Sequence, residues 1–441
     1  MTRPNPAAVV LAGGLGTRMR SATPKHFHPL LGRRMVDWVV EAARAVDADP
    51  LVVVVSPEGA GAFDGVDVAV QAEPRGTGDA LAAARTALDG VEGDLFVLSG
   101  DTPALSRELL RDLLEVHRSE EAAATILSFR PTDPREYGRI IRGEEGAVQE
   151  IVEAGDATPE QLAVGEVNSA IYVFAADRIW PALDQIDTAN TQGELYLTDA
   201  VRHLVENGGR VVAYVAPDPA EAEGVNTRAE LADAAAMLRD RINEAHMLAG
   251  VTIVDPTTTW IEAEVELEPD STIHPFTVLS GHTKVGTGAV VGPHAVAVDA
   301  VIGPEATVGP FCYLRPGTQL EARAKAGTFV EIKNSQIGEG TKVPHLSYIG
   351  DADVGEGTNI GAGAITANYS AERGPEKLRT TIGRNVHTAC HNVFVAPLTI
   401  GDNAWIAAGS VVTKNVPPGA LAIARSRQVN KEGYDDRKRH G

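Results

Sequence analysis

Cysteine, aromatic residues and long apolar runs are scarce in this chain of 441 residues. The two cysteines, Cys312 and Cys390, are too few for a disulfide framework or a four-thiolate metal site, and they indicate a reducing compartment. No apolar run approaches the roughly 18 residues of a membrane-spanning helix, and the first residues lack the apolar core of a signal peptide. We therefore expect a soluble, cytoplasmic protein.

Positively charged residues are also fewer than negatively charged ones. The chain has 39 Lys and Arg residues against 60 Asp and Glu residues, which gives a formal net charge of −21. Such a balance repels nucleic acid and anionic membranes. The hydrophobic fraction of 44% is that of a folded protein. Small molecules are therefore the expected partners, and neither nucleic acid nor a membrane is expected.

The first half of the chain alternates short apolar runs, rich in β-branched residues, with helical stretches. The apolar runs lie at residues 8–11, 51–55, 95–98, 124–127 and 211–215. The helical stretches lie at residues 36–46, 79–88 and 107–116. Buried runs separated by helices are typical of a parallel α/β sheet. We predict a doubly wound, Rossmann-like α/β domain over residues 1–228 and a linker helix over 229–250.

After residue 250 the sequence repeats with a period of six. Aliphatic residues follow this spacing at Val285 and Val291, at Ile302, Val308, Leu314 and Leu320, at Ile337, Val343 and Ile349, and at Ile400, Ile406 and Val412. The hexapeptide period is typical of a parallel β-helix, in which six residues form one flat side of a coil and the aliphatic residue points inward. Hairpins would repeat at a longer period of roughly 8 to 12 residues. We predict a β-helix over 251–430.

Two segments depart from the six-residue period. The polar residues 368–379, which contain glycine and proline, predict a loop that leaves the coil, and inserted loops on solenoids commonly form binding surfaces. The last residues, 431–441, form a charged tail that we expect to be frayed.

A glycine-rich segment, residues 11–25, follows the first apolar run. Its glycines let the backbone approach a ligand closely, and its free N–H groups can cradle an anion. The segment lacks the Gly-Lys-Ser/Thr of a Walker loop and the Gly-x-Gly-x-x-Gly spacing of a dinucleotide site. A plain tight turn is the alternative. Arg18 and Lys25 favour a polyphosphate ligand, since neither cation suits a buried strand end without an anion.

The same segment resembles the signature of sugar-1-phosphate nucleotidyltransferases. Further matching stretches include Gln71-Ala-Glu-Pro-Arg-Gly-Thr-Gly78, Leu98-Ser-Gly-Asp101, Tyr137-Gly-Arg139, Ile151-Val-Glu153, Val167-Asn168, Gly193-Glu-Leu-Tyr-Leu-Thr-Asp199 and Gly224-Val-Asn226. Together with the hexapeptide repeats, nearly the whole chain resembles one family, the bifunctional N-acetylglucosamine-1-phosphate uridylyltransferases and glucosamine-1-phosphate N-acetyltransferases. The resemblance implies a nucleotidyltransferase domain, a left-handed β-helical acetyltransferase domain, UTP and acetyl-CoA as substrates, Mg²⁺, and a homotrimer.

The resemblance also implies residue roles in the first domain. Catalysis is assigned to Arg18 and Lys25, and Mg²⁺ binding to Asp101 and Asn226. Nucleotide binding is assigned to Leu11, Ala12, Gly13, Gly14, Lys25, Gln71, Gly76 and Thr77, and sugar-phosphate binding to Gly138, Glu153, Asn168 and Asn226. Carboxylate and amide oxygens suit a hard ion that bridges substrate phosphates, although Asp101 alone could simply cap a turn. Asp79 departs from the usual histidine, and His26-Phe27 from a usual aliphatic pair.

In the β-helix, the resemblance makes His345 the general base. Glucosamine-1-phosphate binding is implied for Arg315, Lys333, Tyr348, Asn359, Asn368, Tyr369 and Arg379. Acetyl-CoA binding is implied for Ala362, Asn368, Tyr369, Cys390, Ala408 and Arg425. A base is needed because an ammonium has no lone pair, and an imidazole pKa of about 6.5 suits the task. A lone histidine in a solenoid is otherwise more often a hydrogen-bonded wall residue.

Two of these positions depart from the family's usual residues. Cys390 replaces a serine that is common in the family, and a thiol is the weaker hydrogen-bond donor. The alternative for Cys390 is a buried thiol that acts as a small apolar filler. Arg379 replaces a lysine, which keeps the charge and changes its geometry.

Two other functions remain open from the sequence. One is a plain sugar-1-phosphate nucleotidyltransferase whose β-helix only oligomerises it, and the retained His345 argues against it. The other is a catalytically silent regulatory paralogue. That protein should have lost Arg18, Lys25, Asp101 or Asn226, and all four are present.

Overall fold

The computed structural model describes residues 4–14, 16–143, 146–371, 374 and 376–435. Contacts divide the chain into two units, Met1–Leu238 and Arg239–Gly441. Residues 436–441 of the predicted tail lie outside the described residues, as do three positions of the predicted loop. None of the helices in the described part of the chain is long and apolar enough to cross a membrane.

The first unit is built on a sheet of nine strands. They are β1 (Ala7–Ala12), β2 (Leu51–Val55), β3 (Asp67–Val70), β4 (Asp94–Ser99), β5 (Ala124–Phe129), β6 (Arg139–Arg142), β7 (Val148–Val152), β8 (Val167–Ala175) and β9 (Val211–Val215). The main order is β9-β5-β8-β4-β1-β2-β3, and β6 pairs with β8 and β7. All neighbours on the main path are parallel except β8, which runs antiparallel to β4 and β5. A separate hairpin joins Pro29–Leu30 to Arg33–Arg34.

Helices cover both faces of this sheet, which confirms the doubly wound prediction. They are α1 (Met35–Ala45), α2 (Thr77–Ala83), α3 (Arg107–Ser119), α4 (Pro159–Leu162), α5 (Ala176–Leu183), α6 (Leu197–Glu206) and α7 (Arg228–Leu248), which contains the boundary between the units. Short 3-10 helices lie at Thr17–Met19, Lys25–Phe27, Pro57–Gly59, Arg85–Leu88 and Pro219–Glu221. One apolar core joins the sheet to α1 and α3, and a second joins it to α2, α5 and α6.

Local sequence explains these elements. The predicted apolar runs became strands because their Val and Leu side chains are buried on both faces of the sheet. Helix α3 begins where the Ser106 hydroxyl accepts a hydrogen bond from the Leu109 N–H at 3.1 Å. It then buries Leu109, Leu110, Leu113 and Leu114 at helical spacing. The long antiparallel strand β8 was not singled out from the sequence.

The second unit contains three parallel sheets of short strands. Sheet I comprises Thr252–Ile253, Thr272–Ile273, Val290–Val291, Thr307–Val308, Lys325–Thr328 and Lys342–His345, and bridges through Asn359 join it to His387–Thr388, Trp405–Ile406 and Leu421–Ala422. Sheet II comprises Trp260–Ile261, Val278–Ser280, Val296–Val298, Tyr313–Leu314, Glu331–Lys333, Tyr348–Gly350, Ile365–Ala367, Val393–Val395 and Val411–Val412. Sheet III comprises Glu266–Leu267, Lys284–Val285, Val301–Ile302, Gln319–Leu320, Gln336–Ile337, Ala352–Val354, Thr380–Ile382 and Leu398–Ile400.

The pairing register is that of a β-helix with three sides per turn. Val296 pairs with Val278 on the preceding turn and with Tyr313 on the following one, and each step along the chain is close to three times the six-residue period. One turn therefore uses three hexapeptides, and the predicted inward aliphatics, such as Val291, Val308 and Val343, are fully buried. Ile365 pairs with Val393, which is a longer step along the chain, so an inserted segment leaves the coil where the sequence predicted a loop. The left hand of the coil stays a prediction.

Candidate functional site

A cavity of about 470 Å³ opens at one edge of the sheet in the first unit. Gly13 and Gly14 follow β1, Gln71 follows β3 and Asp101 follows β4, all in a parallel array. Because parallel strands present their carboxyl ends at the same edge, these residues meet there. The lining includes the predicted residues Leu11, Gly13, Gly14, Lys25, Gln71, Gly76, Thr77, Asp101, Glu153 and Asn168. Ala12 and Gly138 lie outside this lining, and Arg18 and Asn226 line a neighbouring cavity.

Lys25 is the centre of a buried polar cluster. Its Nζ donates to Asp101 and, at 2.7 Å, to Asn226 Oδ1, and the Ser99 hydroxyl donates to Asp101 Oδ1 at 2.7 Å. Burial alone would raise the pKa of Asp101, but the charge of Lys25 and these hydrogen bonds lower it to about 2. Ionised Asp101 therefore neutralises Lys25 within the protein, and a bound polyphosphate at this segment stays a prediction.

Arg18 joins the same cluster from the solvent side. Its Nη2 donates to Asn226 Oδ1 and its Nη1 to Glu136 Oε2, each at 3.0 Å. Both partners in the Arg18–Glu136 ion pair are exposed, and such pairs contribute at most about 1 kcal/mol to stability. Arg18 can therefore exchange Glu136 for a ligand phosphate at little cost.

The oxygens of Asp101 and Asn226 converge on one positive charge, the Lys25 ammonium. Among the described residues there is no cluster of three or more His, Cys, Asp or Glu side chains that could hold a metal ion. The protein thus offers two oxygen ligands, one carboxylate and one amide. This donor set fits Mg²⁺, which is typically held by one or two protein ligands together with water and substrate phosphates.

His26, which departs from the family's usual aliphatic residue, is packed beneath the glycine-rich segment. Burial lowers its pKa to about 4 despite the nearby charge of Asp101, so the imidazole is neutral near pH 7. Its Nδ1 is buried without a hydrogen-bond partner among the described residues.

The loop at residues 71–79 is fixed by its own glycines and by residues 193–199. Gly76 has φ +119°, and a Cβ at this position would lie 2.5 Å from the Leu195 carbonyl oxygen, so only glycine fits. The Gly78 N–H donates to the same oxygen at 2.8 Å, and Thr77 Oγ1 accepts from the Leu197 N–H at 3.0 Å. Two separate sequence motifs therefore build one wall of the cavity.

The predicted sugar residues meet at the other end of the cavity. Thr198 Oγ1 donates to Glu153 Oε1 at 3.1 Å, and burial raises the pKa of Glu153. Asn168 Nδ2 donates to Tyr172 Oη at 2.7 Å, and a Cβ on Gly138 would lie 3.4 Å from Glu153 Oε2. Thr198 and Tyr172 were missed as individual site residues. For Tyr172 the only signal was its position four residues after Asn168.

In the second unit, several predicted polar residues gather along sheet II and its corner with sheet III. Asp351 accepts from Asn368 and, at 2.6 Å, from Asn334 Nδ2, while Asn368 Nδ2 also donates to Tyr348 Oη at 3.3 Å. Along the same sheet, Arg315 Nη1 donates to Glu331 at 2.8 Å, and Lys333 pairs with Gly350. Arg379 Nε donates to Asp353 Oδ2 at 2.6 Å. Asn334, Asp351 and Asp353 were not singled out as site residues from the sequence.

His345 heads a column of residues at the corner between sheets I and II. The carbonyl oxygens of His345, Ala362 and Cys390 accept hydrogen bonds from the N–H groups of Gly363, His391 and Gly409, respectively, on the next coil. The predicted residues His345, Ala362, Cys390 and Ala408 are therefore stacked in register. Arg425 continues this column, because its Cδ lies 3.8 Å from the Cβ position of Gly409. The His345 side chain is exposed and has no hydrogen-bond partner among the described residues.

A neighbouring column of the same corner carries exposed rings. Phe276, His294, Phe311 and Phe329 stack there with centroids 4.7, 4.8 and 5.2 Å apart, and His345 pairs with Thr328, which precedes the last of these rings. On the coils after His345, its own column carries the small residues Ala362, Cys390 and Ala408. Cys390 is exposed, which contradicts the buried-filler alternative, whereas Cys312 is buried and burial raises its pKa to about 12.

The structure does not bring every predicted acetyltransferase residue together. His345 ends a strand of sheet I at the corner with sheet II, whereas Asp351 and Asn368 follow strands of sheet II at its opposite corner. One chain therefore keeps the predicted base and part of the predicted sugar site apart. Asn359 lies on sheet I, between Lys342 and His387. Tyr369 is exposed, with Lys377 Nζ 4.0 Å above its ring.

Comparison with known proteins agrees with this division into two sites. The family model of a MobA-like NTP transferase domain matches residues 8–199. The chain is 48% identical to the bifunctional protein GlmU of Streptomyces avermitilis, over 99% of this chain and 95% of the relative. It is 46% identical to that of Mycolicibacterium vanbaalenii (99% and 94%) and 45% identical to that of Brevibacillus brevis (97% and 96%). The similarity spans both units, and the chain therefore belongs to the GlmU family of bifunctional proteins.

Proposed function

We propose that this protein catalyses two successive reactions of UDP-N-acetylglucosamine synthesis. The β-helix transfers an acetyl group from acetyl-CoA to glucosamine-1-phosphate, and the first unit then transfers a uridylyl group from UTP to the N-acetylated product. The observation that carries this conclusion is that one chain of the GlmU family holds both sites. The cavity around Lys25 and Asp101 lies in one unit, and the exposed His345 column lies in the other.

In the uridylyl site we assign charge neutralisation to Arg18 and Lys25. A phosphate oxygen of the sugar phosphate attacks the α-phosphorus of UTP, the bond from that phosphorus to the bridging oxygen breaks, and pyrophosphate leaves. The protein contributes position and positive charge to this displacement. Mg²⁺ would be held by Asp101 and Asn226, and when bound it would neutralise phosphate charge. Lys25 would then exchange these oxygens for phosphate.

The two ends of the cavity suit the two substrates. Gly13, Gly14, Gln71, Gly76 and Thr77 would receive the nucleotide, because glycines there let the backbone approach it. Glu153 and Asn168 would bind the amino sugar, and the absence of a side chain on Gly138 leaves room beside Glu153. Binding both substrates in one cavity places the attacking phosphate beside the α-phosphorus.

In the acetyl site we assign the general base to His345. Its ring would take a proton from the 2-ammonium of the sugar, and the freed amine would attack the thioester carbonyl carbon. The carbon–sulfur bond would then break, and the second proton that leaves the nitrogen would pass to the thiolate sulfur, which releases CoA as the free thiol. The surface along Ala362, Cys390 and Ala408 would receive the acetyl-CoA arm, and Arg425 its phosphates. Arg315, Lys333, Tyr348 and Asn368 would hold glucosamine-1-phosphate.

In a homotrimer, neighbouring chains would bring the separated parts of the acetyl site together. Sheet II separates the His345 column from Asn368 by a strand of three residues, which is about 10 Å. Its outward side chains include the exposed apolar residues Val278, Tyr313, Ile365 and Val411, and an apolar face of this kind favours association. We propose that sheet II faces a second copy, which supplies the missing half of each site. The boundaries at residues 228, 250 and 430 and the cytoplasmic location stay predictions.

The deciding experiment uses purified full-length protein with glucosamine-1-phosphate, acetyl-CoA, UTP and magnesium. Each component is omitted in turn while CoA thiol and pyrophosphate are followed separately. We expect CoA release without UTP. When N-acetylglucosamine-1-phosphate replaces glucosamine-1-phosphate, we expect pyrophosphate release from UTP without acetyl-CoA. Pyrophosphate release alone would indicate the nucleotidyltransferase with an oligomerising β-helix. Release of neither product would indicate a silent paralogue.

A further inference from the structure

His391 is a second exposed histidine at the corner that carries the proposed acetyl site. It follows Cys390 directly, and its backbone N–H donates to the Ala362 carbonyl oxygen at 2.7 Å. Its φ of +59° lies in the left-handed region, which histidine adopts more readily than most residues. The sequence analysis did not single it out, and the proposed function gives it no role.

The ring of His391 reaches back along the coil axis toward His345. A Cβ on Gly363 would lie 2.8 Å from His391 Nδ1, so the ring occupies the space that a side chain at Gly363 would fill. The Gly363 N–H in turn donates to the His345 carbonyl oxygen at 3.4 Å. Successive coils are about 4.8 Å apart. The His391 ring therefore lies at the level of the coil directly after His345, although its own backbone lies one coil further on.

The surroundings of this ring are open to a ligand. Gly363 and Gly409 occupy the equivalent positions on the coils before and after His391, and neither carries a side chain. Beside them runs the surface proposed for the acetyl-CoA arm. The His391 side chain is exposed and makes no hydrogen bond or ion pair with another described residue. Its ring nitrogens are therefore available for proton transfer.

The direction of the proposed acetyl-CoA arm places the leaving sulfur on the His391 side of the site. The amine would attack the thioester carbon from the end of the column at His345, while the arm would run past Ala362 toward Arg425. The sulfur joins that carbon to the arm, so it would lie beyond the carbon, toward the coils of Ala362 and Cys390. The His391 ring lies beside these coils.

Proton affinity favours His391 over its neighbour Cys390 as a proton donor to this sulfur. The ordinary pKa of a thiol is about 8.5, whereas that of an imidazole is about 6.5. Transfer from an imidazolium to a thiolate is therefore downhill. Transfer from the Cys390 thiol to the CoA thiolate would gain nothing, because the two groups are of the same kind.

We propose that His391 is a further catalytic residue of the acetyl site, which gives a proton to the CoA sulfur as the carbon–sulfur bond breaks. The inference rests on the proposed acetyl transfer. The imidazolium of His391 donates a ring proton to the thiolate, and the neutral ring then takes the second proton that leaves the nitrogen. His345 takes the first. Both protons lost by the nitrogen are thereby accounted for, and His391 ends in the form in which it began.

The test compares His391→Asn with the matched control His282→Asn, an exposed histidine on another coil, in the full-length protein. Asparagine also adopts the left-handed conformation readily, so the backbone at position 391 should be kept. CoA release at saturating substrates gives kcat, and equilibrium dialysis gives the dissociation constant of CoA without turnover. We expect kcat of His391→Asn to fall about 10²-fold, the low end for a positioned acid, because a thiolate is already a good leaving group. The dissociation constant should stay within about threefold of the parent, and His282→Asn should match the parent in both.

A second variant separates proton transfer from a structural role. His391→Gly opens the space of the ring, and glycine suits the left-handed backbone. Imidazole added in solution should restore CoA release in this variant at least severalfold, and it should leave the parent rate unchanged. A lost side-chain contact would not be restored in this way.

Unchanged kcat in His391→Asn would overturn the proposal. So would a weaker dissociation constant with kcat unchanged, which would make His391 a binding residue only, and so would the absence of any rescue by imidazole. Pyrophosphate release in each variant reports whether the first unit is intact. A parent protein that releases no CoA would refute the acetyl transfer itself, whereas an active parent with equally active variants would overturn only the role of His391.

Discussion

The two candidate sites differ in how much of each is complete within one chain. In the first unit, Lys25, Gln71 and Asn168 are buried, and each is hydrogen-bonded to another residue of the cavity. In the β-helix, His345, Cys390 and Ala408 are exposed on a corner, and sheet II separates them from Asn368. Buried aliphatic side chains such as Val291, Val308 and Val343 fill the interior of the coil, so its candidate site lies on the outer surface. The proposed uridylyl site is therefore preorganised within one chain, whereas the proposed acetyl site would be completed only by assembly.

The largest expected effect concerns the exposed base. A positioned general base typically contributes 10²- to 10⁴-fold to the rate, so His345→Ala should reduce CoA release by about that factor. Pyrophosphate release should not change, because the substitution lies in the other unit. His282→Ala, an exposed histidine on another coil, is the matched control. A loss of only about twofold would indicate that His345 is a wall residue of the solenoid and not the general base.

A substitution in the first unit, Asp101→Ala, tests the buried cluster around Lys25. Asp101→Ala removes a proposed Mg²⁺ ligand and leaves the Lys25 ammonium buried without its partner. We expect pyrophosphate release to fall by about 10²- to 10³-fold or more, as for other losses of preorganised charge, with CoA release intact. Asp64→Ala, an exposed carboxylate in the same unit, controls for the loss of charge. Normal uridylyl transfer in Asp101→Ala would disprove the metal assignment.

A third prediction tests whether the proposed acetyl site, unlike the proposed uridylyl site, requires the association of several copies of the chain. Ile365 is 45% exposed on the outer face of sheet II, so Ile365→Asp should spare the fold and place a charge in the proposed subunit interface. We expect about a tenfold loss of CoA release and a smaller species in sedimentation, because an unpaired interfacial charge costs several kcal/mol of association. Pyrophosphate release should persist. Val301→Asp changes a comparably exposed residue of sheet III and should leave both activities and the mass unchanged. Equal effects of the two variants would contradict the assignment of sheet II.

The smallest effect is protection of a thiol. Cys390 is exposed in the proposed acetyl-CoA site, so a bulky maleimide should label it and block acetyl transfer. Acetyl-CoA at about four times its dissociation constant should slow this labelling about fivefold. Cys312 is the internal control, since it is buried and burial raises its pKa to about 12. Mass spectrometry distinguishes labelling of Cys390 from labelling of Cys312. Equal labelling of Cys390 with and without acetyl-CoA would remove it from the cofactor site.

Much of the fold was predictable because the spacing of apolar residues in the sequence matches the pattern of buried side chains in the structure. Runs such as residues 51–55 are apolar because both faces of a central strand are covered, and the six-residue repeat follows from three flat sides per coil. Strand β8 was missed because its Asn168 and Ser169 interrupt the apolar run, and its antiparallel pairing with β4 and β5 depends on residues far away in the sequence.

Individual site residues were harder to predict than motifs. Lys25 and Asp101 were singled out from separate motifs, but their mutual neutralisation follows from a fold that brings together two positions far apart in the chain. Tyr172 and Asp351 belong to no recognisable pattern. They hold predicted side chains in place through hydrogen bonds that no local spacing encodes.

The sequence by itself determined the class of each domain, the glycines that let backbone approach a ligand and the family, because periodicity and short motifs are local properties of the chain. Only the tertiary structure decided which donors and acceptors remain free. Gln71 could have presented either end of its carboxamide, and the fold turns its NH₂ group toward Asp79 and Gly76. His345 and Asn368 lie little more than one turn of the coil apart in the sequence, yet sheet II lies between their two corners, because the direction in which a residue of a β-helix faces depends on its position within the turn.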